Sequence, residues 1–369
     1  MTYDLVAPCY FGTESSASFD FKRIGAENVT VTDGRISFRG DESVIAAANL
    51  ATRCTERILI LLKRFPARTF DELFDGVNAI HWEELMPKDA EFPVKGSSLS
   101  STLSSVPACQ SIVKKAIVER MKVGHHTNFL PESGQLYKLR FSIRKDMAEV
   151  FLDTSGDGLH KRGYRANATE APIKETLAAT IIDLARVRTD SLVQDPFCGS
   201  GTMIIEAAQK AMRIAPGLQR RFLAEHYSFM EPGQWRQARE KALSEIQRDV
   251  AFEGRGFDID PRAVELANRN AKLAGVGNKC KFFVADVADF MPDSRSIMLT
   301  NPPYGERLGD LEMAAKLEKT LGERLRINPV SGSYIITSDA EFEQNFGKKA
   351  AKRRKLYNGM IPCQVYMYY

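Results

Sequence analysis

Four polar side chains in the second half of the chain, Asp195, Asp258, Asp286 and Asn301, each stand at the end of a short apolar run. Asn301 opens the stretch Asn301-Pro302-Pro303-Tyr304-Gly305-Glu306-Arg307-Leu308, directly after the run that ends at Thr300. Adjacent prolines offer no N–H to a strand ladder, so Pro302 and Pro303 impose a rigid bend and leave the Asn301 and Pro302 carbonyls outside the sheet. Those carbonyls and the Asn301 amide oxygen form a cluster of acceptors for an exocyclic NH2 group, and Tyr304 adds a flat face for the ring that carries it. Taken alone, the stretch suits a proline-rich turn equally well. Asp195 opens Asp195-Pro196-Phe197-Cys198-Gly199-Ser200-Gly201-Thr202, where two glycines let the backbone approach a ligand closely and the carboxylate can accept from an ammonium. Asp258 offers two acceptor oxygens to a ribose diol, and Asp286 can accept from an adenine amine.

Such residues need elements that hold them. Ser191–Gln194 reads as a strand, the glycine turn follows, and a helix runs from Met203 to Met212, the parts of a nucleotide crevice in a doubly wound sheet. The dinucleotide fingerprint Gly-x-Gly-x-x-Gly is not completed, because Ile204 takes the place of the third glycine. Gly254–Asp258 and Cys280–Ala285 supply two further strands, with a crossover helix from Pro261 that buries Val264, Ala267, Ala271 and Ala274. A helix opening near Pro172 places Ile173, Leu177, Ile181 and Leu184 on one face, and Ser333–Ser338 and Cys363–Tyr369 complete the strands. All four polar residues then fall at carboxyl ends of strands, where open α/β sheets bind ligands.

The first half reads differently. A strand from Asp4 is followed by a hairpin, Val29–Thr32 and Arg35–Phe38 around Asp33-Gly34, then by a helix from Ser43 capped by Asp41 or Ser43. Strand Arg57–Phe65, a helix at Phe70–Phe74 and strands ending near Val94, at Ile143 and at Asp153 make a small α+β unit. The hydroxyl-rich stretch Lys95–Ser105, read as a loop, precedes a helix with Lys114 and Lys115, and suits either a phosphate-binding edge or a flexible linker.

Composition bounds the rest. With 369 residues, 44% of them hydrophobic and 27% charged, the chain describes a globular protein of two or three domains. No apolar run reaches the roughly 20 residues of a membrane span, and the amino terminus lacks the pattern of a secretory leader, so the expectation is a cytoplasmic protein without a membrane partner. Six scattered cysteines without a Cys-x-x-Cys pair argue against both a disulfide framework and structural zinc, and no metal is expected. Net charge is only +4, so basic clusters at His160–Arg165, Arg220-Arg221 and Lys348–Lys355 permit nucleic-acid binding without announcing it.

Residues 45–155, through Ala51–Arg57, Phe70–Leu73, Ser100–Ser105 and Val113–Arg120, resemble a THUMP domain behind a ferredoxin-like module, which implies an RNA-binding unit. Residues 160–369 resemble a class I S-adenosylmethionine-dependent methyltransferase. That resemblance implies an α/β Rossmann-like catalytic domain, with S-adenosylmethionine held by Asp195, Phe197, Cys198, Gly199, Ser200, Gly201, Thr202, Asp258, Ile259, Asp286 and Asn301. It implies catalysis by Asn301, Pro302, Pro303 and Tyr304. The expected organisation is a ferredoxin-like module at 1–50, THUMP at 51–155 and methyltransferase at 156–369. The order of parts resembles the bacterial 23S rRNA guanine-N2 methyltransferases, which implies methylation of a guanine N2 amine in RNA, 23S rRNA before tRNA. Alternatives are adenine-N6 methylation of nucleic acid, methylation of a glutamine amide, and a non-catalytic RNA-binding ribosome-assembly factor.

Overall fold

The computed structural model describes residues 1–165, 173–303, 308–359 and 361–369. These residues form two seven-stranded sheets, one in each half of the chain. The first contains β1 (Tyr3–Pro8), β2 (Glu27–Thr32), β3 (Arg35–Gly40), β4 (Leu59–Pro66), β5 (Val94–Leu99), β6 (Leu139–Arg144) and β7 (Met147–Asp153), in the order β2-β3-β1-β4-β7-β6-β5. Because β4 pairs with β1 on one side and β7 on the other, strands from both ends of this half share one sheet. The β2–β3 hairpin turns at Gly34 with φ +73, as the Asp-Gly signal requires. Asp41 caps helix Glu42–Ala51 by accepting from the Ser43 and Val44 amides.

Two readings of this half need correction. Lys95–Leu99 is not loop: it forms β5, parallel to β6 at the sheet edge, since alternation of half-buried and exposed side chains satisfies an edge as well as it does a loop. Lys114 is not free to meet a phosphate, because its ammonium lies 2.7 Å from Glu132 and over the Phe92 ring.

The second sheet contains β8 (Leu192–Asp195), β9 (Glu253–Asp258), β10 (Cys280–Val284), β11 (Ile297–Thr300), β12 (Gly332–Thr337), β13 (Lys352–Asn358) and β14 (Ile361–Tyr368). Its order is β10-β9-β8-β11-β12-β14-β13; the first five are parallel, and β14 is antiparallel to both neighbours. The chain runs outward from β8 to β10 and then returns to β11 on the other side, so a switch point opens between the carboxyl ends of β8 and β11. The basic stretch through Lys355 is strand β13, and the helix expected near Pro172 begins at Glu175, Pro172 itself lying outside the described residues.

The two halves are joined by a buried polar seam. Arg53, nearly inaccessible to solvent, donates from Nη2 to the carbonyls of Gln209 and Ile214, and Arg162 donates from Nη2 to the Arg53 carbonyl at 2.6 Å. Between helix Thr202–Ala211 and β9, the chain sends Phe222, Ala224, Tyr227, Met230 and Trp235 into the core of the first half. There the Tyr227 ring stacks on Tyr137 at 4.5 Å and its hydroxyl donates to the Asp153 carbonyl. Arg220 likewise donates to the carbonyls of Asp157 and Gly158, so much of the basic character around residues 160 and 220 is spent inside the molecule. No helix among the described residues is long and apolar enough to cross a membrane. Replacing Arg53 with Met keeps the volume but strands two buried carbonyls. Urea unfolding of Arg53→Met is expected to show a loss of about 3 kcal/mol.

Candidate active site

A cavity of about 510 Å³ opens at the switch point. Its walls include Asp195, Phe197, Cys198, Gly199, Ser200 and Thr202 from the loop after β8. Asp258 and Ile259 follow β9, Asp286 follows β10, and Asn301, Pro302 and Pro303 follow β11. Residues spread over more than a hundred positions are thereby brought together. Gly201 does not line the cavity: with φ +83 it caps helix Thr202–Ala211, and a Cβ there would press on Ala267 and Phe282. Tyr304 lies outside the described residues. Ile173, Met203, Ala285, Val287 and Leu317 also line the cavity and were missed. Three of them adjoin predicted positions, whereas Ile173 and Leu317 arrive by tertiary packing alone.

The acidic groups are held before any ligand arrives. Asp258 accepts from the amides of Gly199 at 2.9 Å and Asp260 at 3.0 Å, which fixes its carboxylate against the glycine loop. Asp286 accepts from the Ala288 amide at 2.8 Å, leaving acceptor capacity on its carboxylate. Asp195 is buried, accepts from the Thr300 hydroxyl at 2.6 Å and from the Phe197 amide at 3.1 Å. Burial pushes its carboxyl up to about 7, against the pull of those two hydrogen bonds, and the nearby Asp258 charge adds to the rise. Sheet pairing of β11 ends at Thr300, so the Asn301 and Pro302 carbonyls lie beyond the ladder. Ile259 is an exposed apolar residue on the cavity wall, a surface suited to a flat ring.

The residues fit a nucleoside with a cationic side chain. A Cβ built on Gly199 meets no protein atom, so any side chain there would enter the cavity, and φ +50 favours glycine as well. The volume lies within the roughly 300–1,000 Å³ of cofactor pockets. A seven-stranded sheet of this order, with carboxylates at three successive strand ends and an Asn-Pro-Pro bend at the fourth, defines a class I S-adenosylmethionine-dependent methyltransferase.

Comparison with known proteins gives the particular family. Residues 162–367 match the RMKL-like methyltransferase domain, residues 4–59 the RlmL ferredoxin-like domain and residues 67–153 the THUMP domain. The chain belongs to the RMKL-like methyltransferase family, with S-adenosylmethionine as its cofactor. It is 41% identical to YpsC of Bacillus subtilis (strain 168), provisionally named an RNA methyltransferase, over 100% of this chain and 96% of that protein. It is 31% identical to the ribosomal RNA large subunit methyltransferase K/L of Pseudomonas entomophila (strain L48) over 99% of this chain. It spans only about half of that relative, 52%. The crystal structure of SMU.472 complexed with SAH, S-adenosylhomocysteine, superposes with a TM-score of 0.91 at 40% identity, covering 100% of this chain and 98% of that one.

A carboxyl raised to about 7 would leave a clear signature were it to receive the cofactor's ammonium. The proton must leave before the carboxylate can attract the cation, so calorimetric affinity for S-adenosylmethionine is expected to rise as pH passes upward through about 7. Asp195→Asn should weaken binding and flatten that rise. Thr300→Val removes a hydrogen bond that holds the Asp195 value down, so the rise should move to higher pH.

Proposed function

We propose that this chain transfers a methyl group from S-adenosylmethionine to the exocyclic N2 amine of a guanine in RNA, and that the RNA is 23S rRNA. The observation that carries the reading is the acceptor-rich bend Asn301-Pro302-Pro303 on the wall of the cavity that also holds Asp195, Asp258 and Asp286. The THUMP domain and the name of the K/L relative support RNA, and rRNA in particular, as the substrate.

In this reading Asp195 receives the ammonium of the cofactor, Asp258 its ribose diol and Asp286 its adenine amine, while Ile259 lies against the adenine ring. Phe197, Cys198, Gly199, Ser200 and Thr202 shape the loop around it. When bound, S-adenosylmethionine supplies an electrophilic methyl group on a sulfonium. The guanine amine is a poor nucleophile because its lone pair is delocalised into the ring. The Asn301 side-chain oxygen and the Pro302 carbonyl would accept its two hydrogens and favour a pyramidal nitrogen with a localised lone pair. No strong base is needed, since the methylated nitrogen loses its proton readily. Pro303 keeps the bend rigid, and Tyr304 supplies the stacking face for a base taken out of its helix.

Incubation with labelled S-adenosylmethionine and unmodified rRNA, tRNA and DNA, followed by nucleoside mass analysis, is expected to yield N2-methylguanine from rRNA. Finding N6-methyladenine instead overturns the choice of base. Asn301→Ala should retain cofactor binding by calorimetry and lose on the order of 10²-fold in turnover; unchanged turnover would remove Asn301 from the mechanism. Cofactor binding without turnover on any nucleic acid would favour an RNA-binding assembly factor.

A further inference from the structure

Beside the cofactor cavity lies a second, smaller one, of about 300 Å³, that neither domain builds alone. Tyr10, Phe11 and Glu56 come from the first half; Lys174, Lys355 and Tyr357 come from the methyltransferase half. Consecutive residues separate the two cavities, because Ile173 lines the first and Lys174 the second. The separation of the walls is fixed locally by Arg354, whose guanidinium donates to the Gly12 carbonyl.

The lining has an uncommon composition for a protein surface. Phe11 is 59% exposed and Tyr357 39% exposed, two aromatic rings held in water, one from each domain. The Phe11 ring rests on the hairpin turn, within 3.1 Å of the position a Cβ would take on Gly34, so its exposure is built in by the turn. The Lys355 ammonium lies 5.6 Å from the centre of the Tyr357 ring, and, against the burial that raises it, His160, Thr176 and the Lys174 charge hold the Glu56 carboxyl on the same wall below its ordinary range. Deeper on the wall, the half-buried Glu56 accepts from the Thr176 hydroxyl at 2.5 Å and faces His160 at 3.4 Å. A carboxylate there repels a phosphate from the interior, while the lysines attract one to the rim. The size is at the small end of ligand pockets, roughly 300–1,000 Å³, enough for one flat ring.

We propose that this interdomain cavity binds an unpaired nucleotide of the substrate RNA beside the methylated one, its base stacked on Phe11 or Tyr357 and its phosphate on Lys174 and Lys355. The assignment rests on RNA being the substrate, as proposed above. It gives the docking of the two halves a chemical purpose: the amino-terminal half contributes half of a base pocket whose wall is continuous in sequence, at Ile173-Lys174, with that of the cofactor cavity.

The test uses the intact chain and a fluorescein-labelled, mixed-sequence single-stranded RNA dodecamer, read by polarisation. Phe11→Ala with Tyr357→Ala is expected to lose roughly tenfold or more in affinity. Phe11→Tyr, which keeps a stacking ring, should bind within about twofold of the unaltered protein, and S-adenosylmethionine affinity should be unchanged in all. Tyr357→Trp supplies an independent reading, with indole fluorescence quenched when the dodecamer binds. Undiminished affinity in the double alanine variant, or an indole that the RNA does not quench, overturns the proposal. Should the double variant fail to fold, the indole reading decides alone. Ring-dependent dodecamer binding by a chain that methylates no RNA would refute the proposed function while retaining the pocket as a nucleotide site.

Discussion

The 2.6 Å hydrogen bond from the Thr300 hydroxyl to Asp195 ties together the ends of β8 and β11, the two strands between which the sheet changes direction. One partner stands at the head of the glycine loop and the other immediately precedes Asn301. The bond therefore sets the distance between the glycine loop after β8 and the Asn301-Pro302-Pro303 bend after β11. Both groups are buried, so water does not compete for the bond, and loss of Thr300 leaves Asp195 with the Phe197 amide alone. The same burial that strengthens the bond raises the carboxyl to about 7. Mechanical precision and charge readiness are thus opposed at this residue, and the Thr300 and Phe197 donors are what keep the balance near neutrality.

A second constraint acts at larger scale. The first half is fastened to the methyltransferase by arginines that donate to particular carbonyls, by the Tyr227–Tyr137 stack and by the Phe222–Trp235 stretch that reaches back across the seam. An apolar seam would allow sliding at little cost, because hydrophobic contact is not directional. Directed donors do not, since a shift of one carbonyl leaves several buried groups unpaired. A pocket with walls from both halves requires that kind of fixed register.

Much of this was legible in the residues. The Asp-Gly hairpin, the cap at Asp41 and the strand, glycine turn and helix around Asp195 all depend on local chemistry, and local chemistry is what a sequence displays. The placing of Asp195, Asp258, Asp286 and Asn301 on one cavity wall was legible for the same reason, once the strand ends were recognised. What was not legible depends on contacts between distant segments. The fate of Arg53, Arg162 and Arg220 could not be read, because a buried arginine that satisfies carbonyls has the same local sequence as one that waits for phosphate. β5 was hidden by serines that look like loop, and β13 by a run of cations that an edge strand carries comfortably in solvent.

The division of labour between the halves follows from what acceptors can and cannot distinguish. Two carbonyls and an amide oxygen recognise that a nitrogen carries two hydrogens; they do not recognise the ring beyond it. Guanine, adenine and a glutamine amide all present such a nitrogen, so the bend at Asn301 cannot select among them. Discrimination has to come from groups that touch the rest of the substrate. In the proposal made above, such contacts come from the separate interdomain cavity, from Phe11 and Glu56 on one side and Lys174, Lys355 and Tyr357 on the other. On that proposal the seam would matter to substrate choice as well as to stability, because a pocket shared between two halves keeps its shape only while the halves hold their places.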